Sequence, residues 1–379
     1  MSETRPADPA DPADPEGADT VQQLGEDVVL AALREVIDAH NAHNAPDAHR
    51  AQAPPGRGVP VGMPVGPGDD AAVLRLEDPR LVATTDTMSQ DQDFRPGWWA
   101  YPAEAAHAVG TKAAAQNLSD LSAMGARPVA LLVSLTLPPQ TRLDWAVGVM
   151  SGIAAAATAP GAAGCVIAGG DLGSGDVVSV TITALGTPTG ARSLLRSGAR
   201  PGDQLAVCGP LGRAAAGLAV LEGEVSPARG AESLLEACLD AQRRPAPDLT
   251  AGPRALASGA TAGLDVSDGL LRDADRLARA SEVALVLEEQ TLAEEITALG
   301  RLDAHSSRGW VLGGGEDYAL LATFPGEVDL PEGFRRIGEV RRCDGAPGVF
   351  AGGTVSAGWD SLRQGAGPAS RSGSQSCGK

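Results

Sequence analysis

Residues 66–87 read G-P-G-D-D-A-A-V-L-R-L, a short polar turn, then L-V-A-T-T-D-T. A Gly/Pro turn delivers Asp69 and Asp70, and an apolar run delivers Thr84, Thr85 and Asp86. This pattern predicts two strands bounded by turn residues, which carry the polar groups to one end of a hairpin or sheet. Carboxylates and hydroxyls gathered in that way suit a hard cation with oxygen ligands, Mg²⁺ ahead of Zn²⁺. Two solvated acidic turns would read the same locally. The weight therefore falls on Asp120, Asp171, Asp265 and Asp268, which recur beside Gly turns, strand ends or small-residue helix faces.

The charge balance sharpens this reading. The chain carries a formal charge of −18, and its lysines are Lys112 and Lys379 alone. Aspartates packed beside Gly and Ala repel one another unless a cation bridges them, and with so little Lys, bound Mg²⁺ is the economical bridge. The acidic balance argues against a nucleic-acid partner. An acidic protein that takes an acidic ligand needs divalent metal between the two, and a nucleoside triphosphate supplies the phosphates. The chain has no G-x-x-x-x-G-K-[ST], H-R-D or V-A-I-K, which excludes P-loop and protein-kinase designs. Gly169-Gly170 and Gly313-Gly314-Gly315 read as turns through which backbone can approach a phosphate. His40, His43 and His49 fall in the N-terminal helix and linker, leaving little for a histidine-based mechanism. Cys165, Cys208, Cys238, Cys343 and Cys377 are scattered without a C-x-x-C pair, as in reduced cytoplasmic proteins. With no apolar signal core and no long apolar run, the expectation is a cytoplasmic chain that does not engage a membrane.

Along the chain, residues 1–19 form a D-P-A tail expected to be disordered. Helical spacing predicts an amphipathic helix over Val21–His43, followed by a Pro/Gly-rich linker to Pro67. A long small-residue helix over 102–125 carries Asn117 and Asp120 on one face. Strands are predicted at 129–137, 165–168, 177–186, 203–208, 263–266, 283–287, 334–340 and 348–355. Helices are predicted near 145–158, 214–221, 234–242 and 268–280. Ser267 and Asp268 stand where a strand passes into a helix, a place where plain N-capping is the competing explanation. Strands and helices interleave in both halves, so the fold class is α/β or α+β with two domains split near residue 190. The expected limits are 20–190 for an N-terminal ATP/Mg-binding domain with its leading helix and linker, 191–363 for a C-terminal domain, and 364–379 for a second disordered tail.

The ordered set G-D-D-A-A (68–72), T-T-D-T (84–87), N-L-S-D-L-S-A-M-G-A (117–126), G-G-D (169–171), L-R-S-G-A-R-P-G-D (195–203), D-V-S-D-G-L (265–270) and G-G-E-D-Y-A-L-L (314–321) resembles the thiamine-monophosphate kinase family. The resemblance spans about residues 22–362. It implies a two-domain aminoimidazole ribonucleotide synthetase-like fold, with the N-terminal sheet pairing in a homodimer and a C-terminal α/β domain. It also implies transfer of the γ-phosphoryl of ATP to thiamine monophosphate with several Mg²⁺ ions. By motif, Asp70, Thr84, Thr85, Asp86, Asp120, Asp171, Asp265 and Asp268 would be metal ligands, with Asp86, Asp120 and Asp268 catalytic. Gly170, Asp171, Arg196 and Ser267 would contact ATP, and Asp93, Glu316 and Trp359 the thiamine substrate. A cationic thiazolium beside a carboxylate and an aromatic face is physically reasonable.

Two positions depart from the family pattern. Asp93 stands where the family often carries His, and the 145–152 segment has Trp145 and Met150 but no Tyr for a nucleotide contact. The alternatives are another ATP-using member of the fold, such as a purine-synthesis synthetase, a selenophosphate synthetase or a hydrogenase-maturation protein, or a non-catalytic metal-stabilised nucleotide binder.

Overall fold

The computed structural model describes residues 19–44, 62–67, 70–76, 78–226, 230–343 and 345–351. The N-terminal amphipathic stretch forms two helices rather than one, α1 (Val21–Leu24) and α2 (Glu26–Asn44), separated at Gly25. Thr20 closes a capping box with Gln23 on α1. The stretch expected as linker through Pro67 contains a strand, β1 (Gly62–Val65), paired antiparallel with β2 (Val73–Arg75). The two strands flanking the polar turn of the opening motif therefore do not pair with each other. β2 joins β1, while β3 (Val82–Ser89) enters a separate four-stranded sheet.

That sheet continues through α3 (Pro102–Ala123), β4 (Ala126–Leu137), α4 (Leu143–Ala156), β5 (Val166–Ser174) and β6 (Ser179–Pro188), in the order β3-β6-β4-β5. β4 and β5 run parallel, with α4 in the connection between them, and the other neighbours are antiparallel. Met88, Val133, Leu135, Val180, Ile182 and Ala184 point to one face and pack against α3 and α4. The two helices lie very close together. A Cβ on Gly110 would stand 1.9 Å from Val149 O, and one on Gly152 2.0 Å from His107 O. The opposite face carries Thr85, Thr87, Thr181, Thr183 and the 39%-exposed Leu132, and the β1–β2 hairpin covers one end of it through Met63, Leu74 and Leu185.

The second half supplies β7 (Gln204–Cys208), α5 (Arg213–Leu221), α6 (Glu232–Arg243), α7 (Ala251–Ala257), β8 (Ala262–Val266), α8 (Leu270–Ser281), β9 (Ala284–Leu287), α9 (Ala293–Asp303), α10 (Ser307–Gly313), β10 (Ala319–Phe324), β11 (Phe334–Arg341) and β12 (Gly348–Phe350). Its six-stranded sheet has the order β12-β9-β11-β7-β10-β8, antiparallel except for β12 beside β9. One face buries Leu205, Val207, Leu264 and Val266 beneath α5, α6 and α8–α10. The other meets α7 and the end of α3, through Ala123, Ala206, Ala255 and Phe324. Edge strand β8 thus lies against α3, which brings the two sheets' polar groups together. Helices α7, α9 and α10 were not expected from the spacing of apolar residues. No helix among the described residues is long and apolar enough to cross a membrane.

Candidate active site between the two sheets

Helix α3 carries the centre of the site. Thr84 Oγ1 on β3 donates to Asp120 Oδ2 on α3 at 2.6 Å, and the neighbouring Ser119 Oγ donates to Asp265 Oδ2 on β8 at 3.0 Å. Asp86 shares the face of Thr84 and Met88, because alternate residues of a strand point the same way. Burial pushes Asp86 up to about 6, helped by the charges of Asp120, Asp268 and Asp93. Burial likewise pushes Asp265 up to about 7, with Asp120 adding to the shift and Ser119 opposing it. Asp120 is raised by burial against the Thr84 hydrogen bond and the Arg196 charge. Asp86 thus feels the charges of Asp120 and Asp268, and Asp265 that of Asp120, and carboxylates linked that way favour a cation or a proton.

The D-V-S-D-G-L motif is not a cap. Gly269 holds the N-cap position of α8, with no side-chain capping bond. Asp268 instead pairs with Arg276 at 2.5 Å and lies 3.8 Å from Arg272 Nε, while its own N–H donates to Asp273 Oδ2 at 2.8 Å. Metal is therefore not the sole counter-charge that the aspartates meet. Arg276 and Arg196 supply part of the counter-charge, which a count of lysines does not register. Arg196 lies in an exposed turn whose carbonyl accepts from Ser281 Oγ.

Thr85 and Asp171 are not brought into this cluster. Thr85 faces the opposite side of β3, where its hydroxyl donates to Ile182 O and accepts from Thr183 Oγ1. Asp171 is in register with Ser134, which is in register with Thr181, itself opposite Thr87; all belong to that same outer face. Asp70 is exposed beside the β1–β2 hairpin. Gly169-Gly170 is no turn but part of β5, and a Cβ on Gly170 would stand 1.7 Å from Val133 O, so strand packing alone demands glycine there. Asp86 lies within β3 rather than at its end, since the strand runs on to Ser89. Trp359 falls outside the described residues. Trp145 and Met150 both pack with the α3–α4 core.

The donor set suits Mg²⁺: Asp86, Asp120, Asp265 and Asp268 offer oxygen alone. Among the described residues no three Asp, Glu, His or Cys groups close around a metal by themselves. A divalent ion here would take one or two carboxylates and complete its shell with phosphate oxygens and water, the usual Mg²⁺ arrangement in phosphoryl-transfer sites.

A second group adjoins the aspartates. Lys112 on α3, 1% exposed, bonds Glu316 Oε1 at 2.7 Å, donates to Asp93 O at 3.1 Å and lies 5.8 Å from the Trp98 ring centroid. Gln242 Nε2 holds the other Glu316 oxygen at 2.7 Å. Glu316 and Tyr318 adopt φ of 64° and 50°, a left-handed backbone that non-glycine residues hold only under constraint. Asp93 accepts the Ser89 N–H, and burial followed by the Glu316 charge raises it. Ser119, Lys112 and Gln242 were not singled out from the sequence as site residues. The available signal was a lysine standing alone on a helix of Ala and Gly.

In this chain a sheet-and-helix half presents acidic groups toward a second half across one shared helix, and its N-terminal part is similar to the AIR synthase related proteins. The family model "AIR synthase related protein, N-terminal domain" matches residues 68–187. A thiamine-monophosphate kinase of Mycobacterium tuberculosis is 39% identical over 352 residues, covering 90% of this chain and 93% of the relative. The chain belongs to the thiamine-monophosphate kinase family. Among solved structures, the enzyme from Stenotrophomonas maltophilia K279a is 31% identical with a TM-score of 0.67, covering 85% of this chain and 96% of that one. The complex described as AaThiL with AMPPCP and TMP is 30% identical with a TM-score of 0.64, covering 74% of this chain and 86% of that one.

Proposed function

We infer that this protein transfers the γ-phosphoryl group of ATP to the phosphate of thiamine monophosphate, forming thiamine diphosphate. The observation that carries this reading is the convergence of Thr84, Asp86, Asp120, Asp265 and Asp268 where β3, α3 and β8 meet, in a chain of this family. The acceptor phosphate is already ionised near neutral pH, so no side chain need remove a proton from it. A site of carboxylates without histidine fits a direct in-line transfer, in which positioning and charge neutralisation do most of the catalysis.

Asp86, Asp120, Asp265 and Asp268 would hold Mg²⁺, with Thr84 orienting Asp120. The bound ions would neutralise charge on the phosphates during transfer. Arg196 and Ser267 border this cluster and serve the nucleotide, while Asp93 and Glu316 serve the thiamine end. Asp171 lies on the outer sheet face and Asp70 beside the β1–β2 hairpin, so a metal they serve would be approached from there. The outer sheet face, with its threonines and Leu132, is our choice for homodimer pairing. We divide the chain into units of 20–190 and 191–363, and place the protein in the cytoplasm, where the free thiols Cys165, Cys208, Cys238 and Cys343 stay reduced.

Incubation with ATP, Mg²⁺ and thiamine monophosphate should yield thiamine diphosphate and ADP in equal amounts. γ-Labelled ATP without acceptor should leave the protein unlabelled. A label on the chain that thiamine monophosphate discharges would overturn direct transfer. Turnover with a different phosphorylated acceptor, and none with this one, would favour another member of the fold.

A further inference from the structure

Glu316 has neither carboxylate oxygen to itself. Oε1 meets Lys112 Nζ and Oε2 meets Gln242 Nε2, both at 2.7 Å. Lys112 is 1% exposed, whereas the Glu316 side chain keeps 30% of its surface. A buried ammonium is costly unless paired, so the ion pair is part of the site's fixed frame and not a passing contact. Lys112 is also tied to Asp93 through that residue's carbonyl, and the Asp93 carboxylate is near enough to feel the charges of both Glu316 and Lys112.

Counted as charges, Lys112 and Glu316 cancel, and Asp93 leaves the group one negative charge in excess. Gln242 Oε1 belongs to the same amide that bonds Glu316, and this buried oxygen has no hydrogen-bond partner among the described residues. A buried acceptor without a donor is a cost that a polar ligand can offset. The acidic group matches a cationic thiazolium, and the lone acceptor matches the amino donor of the aminopyrimidine ring joined to it.

We propose that Lys112 is a positioning residue that locks Glu316 and cancels its charge, so that Asp93 is the carboxylate that selects a cationic thiazolium over a neutral ring. This rests on the reading of thiamine monophosphate as substrate. Glu316 then shapes the site, and Asp93 sets its preference for charge.

The test compares Asp93→Asn, Glu316→Gln and the double variant Lys112→Met/Glu316→Gln, each checked for folding by circular dichroism. It uses two phosphorylated probes, thiamine monophosphate and the uncharged 4-methyl-5-(2-phosphooxyethyl)thiazole. Asp93→Asn should raise KM for thiamine monophosphate about tenfold or more, leaving the KM for ATP and the inhibition constant of the neutral probe within about twofold. Glu316→Gln, which leaves the lysine charge in place, should weaken the cationic substrate similarly. The double variant removes both charges together and so keeps a buried ion from standing unpaired. Its KM for thiamine monophosphate should fall about threefold or more below that of Glu316→Gln alone. An unchanged KM in Asp93→Asn, or a double variant no better than Glu316→Gln alone, would overturn the proposal while the functional reading stood. Failure of the unmodified protein to make thiamine diphosphate would overturn both.

Discussion

Thr84 and Thr85 point to opposite sides of β3, so that one hydroxyl reaches Asp120 while the other reaches Ile182 O and Thr183. A hydrogen bond to a charged group is worth about 1.5–3 kcal/mol. Thr84→Val should therefore lower kcat by about 10- to 100-fold, as Asp120 loses its orientation. Thr85→Val should leave kcat within about twofold. Equal losses in the two variants would mean that the cluster reaches through the sheet, against the register of β3.

Asp120 accepts from Thr84 and adds its charge to the neighbourhood of Asp86 and Asp265. Asp120→Asn should lower kcat by about 10²–10³, the range for one electrostatic group in a preorganised site. ATP affinity measured by titration calorimetry should fall sharply in EDTA and return with Mg²⁺. Unchanged ATP affinity in EDTA would refute a metal-bridged nucleotide.

Metal-free stability should depend on pH in the direction that raised carboxyl values dictate. Asp86 at about 6 and Asp265 at about 7 keep protons in the folded chain that ordinary unfolded carboxyls, near ~4, have released. The folded state binds more protons through that window, so stability falls as pH rises and levels off above about 7. In EDTA, Tm should be lower at pH 8 than at pH 5.5, and Asp265→Asn should narrow the gap. Mg²⁺ should raise Tm more at pH 8, where the carboxylates are ionised. A Tm that climbs from pH 5.5 to pH 8 in EDTA, with the same slope in Asp265→Asn, would contradict this account.

The α3–α4 contact predicts a stability effect remote from the chemistry. A Cβ at Gly152 would overlap His107 O at 2.0 Å, and a forced separation of packed elements costs about 1–3 kcal/mol. Gly152→Ala should lower Tm by several degrees with little change in KM. An unaltered Tm would show that the helices are free to move apart.

What was legible in the sequence follows the strength of local periodicity. The long helix α3 and strands β4 and β6 could be read because their apolar spacing extends over many residues. β1 was hidden in a Pro/Gly-rich stretch, since a four-residue strand containing Pro64 has no alternation to recognise. Gly169-Gly170 looked like a turn because the reason for glycine there, the carbonyl of Val133, lies on another strand. Asp120, Asp265 and Asp268 were recognisable as a group from their motifs. Their separation from Asp171 and Thr85 was not, because the motif T-T-D treats as one unit residues that the pleat sends to opposite faces. Arg276 and Lys112 acquire their roles only through partners that are separated from them in sequence and meet them in the fold.

Lys112 and Asp120 share one unbroken helix, so the interval between them is set by helix geometry alone. Eight residues at about 1.5 Å each place their backbones roughly 12 Å apart along the axis. Such a helix works as a caliper. One jaw lies at the carboxylates we assign to phosphate, and the other at the Lys112–Glu316 pair we assign to the ring end. A flexible loop could stretch to admit longer or shorter acceptors, but a helix cannot. Inserting a single residue between the jaws would swing one of them by about 100° and open the caliper without touching any residue that grips the substrate.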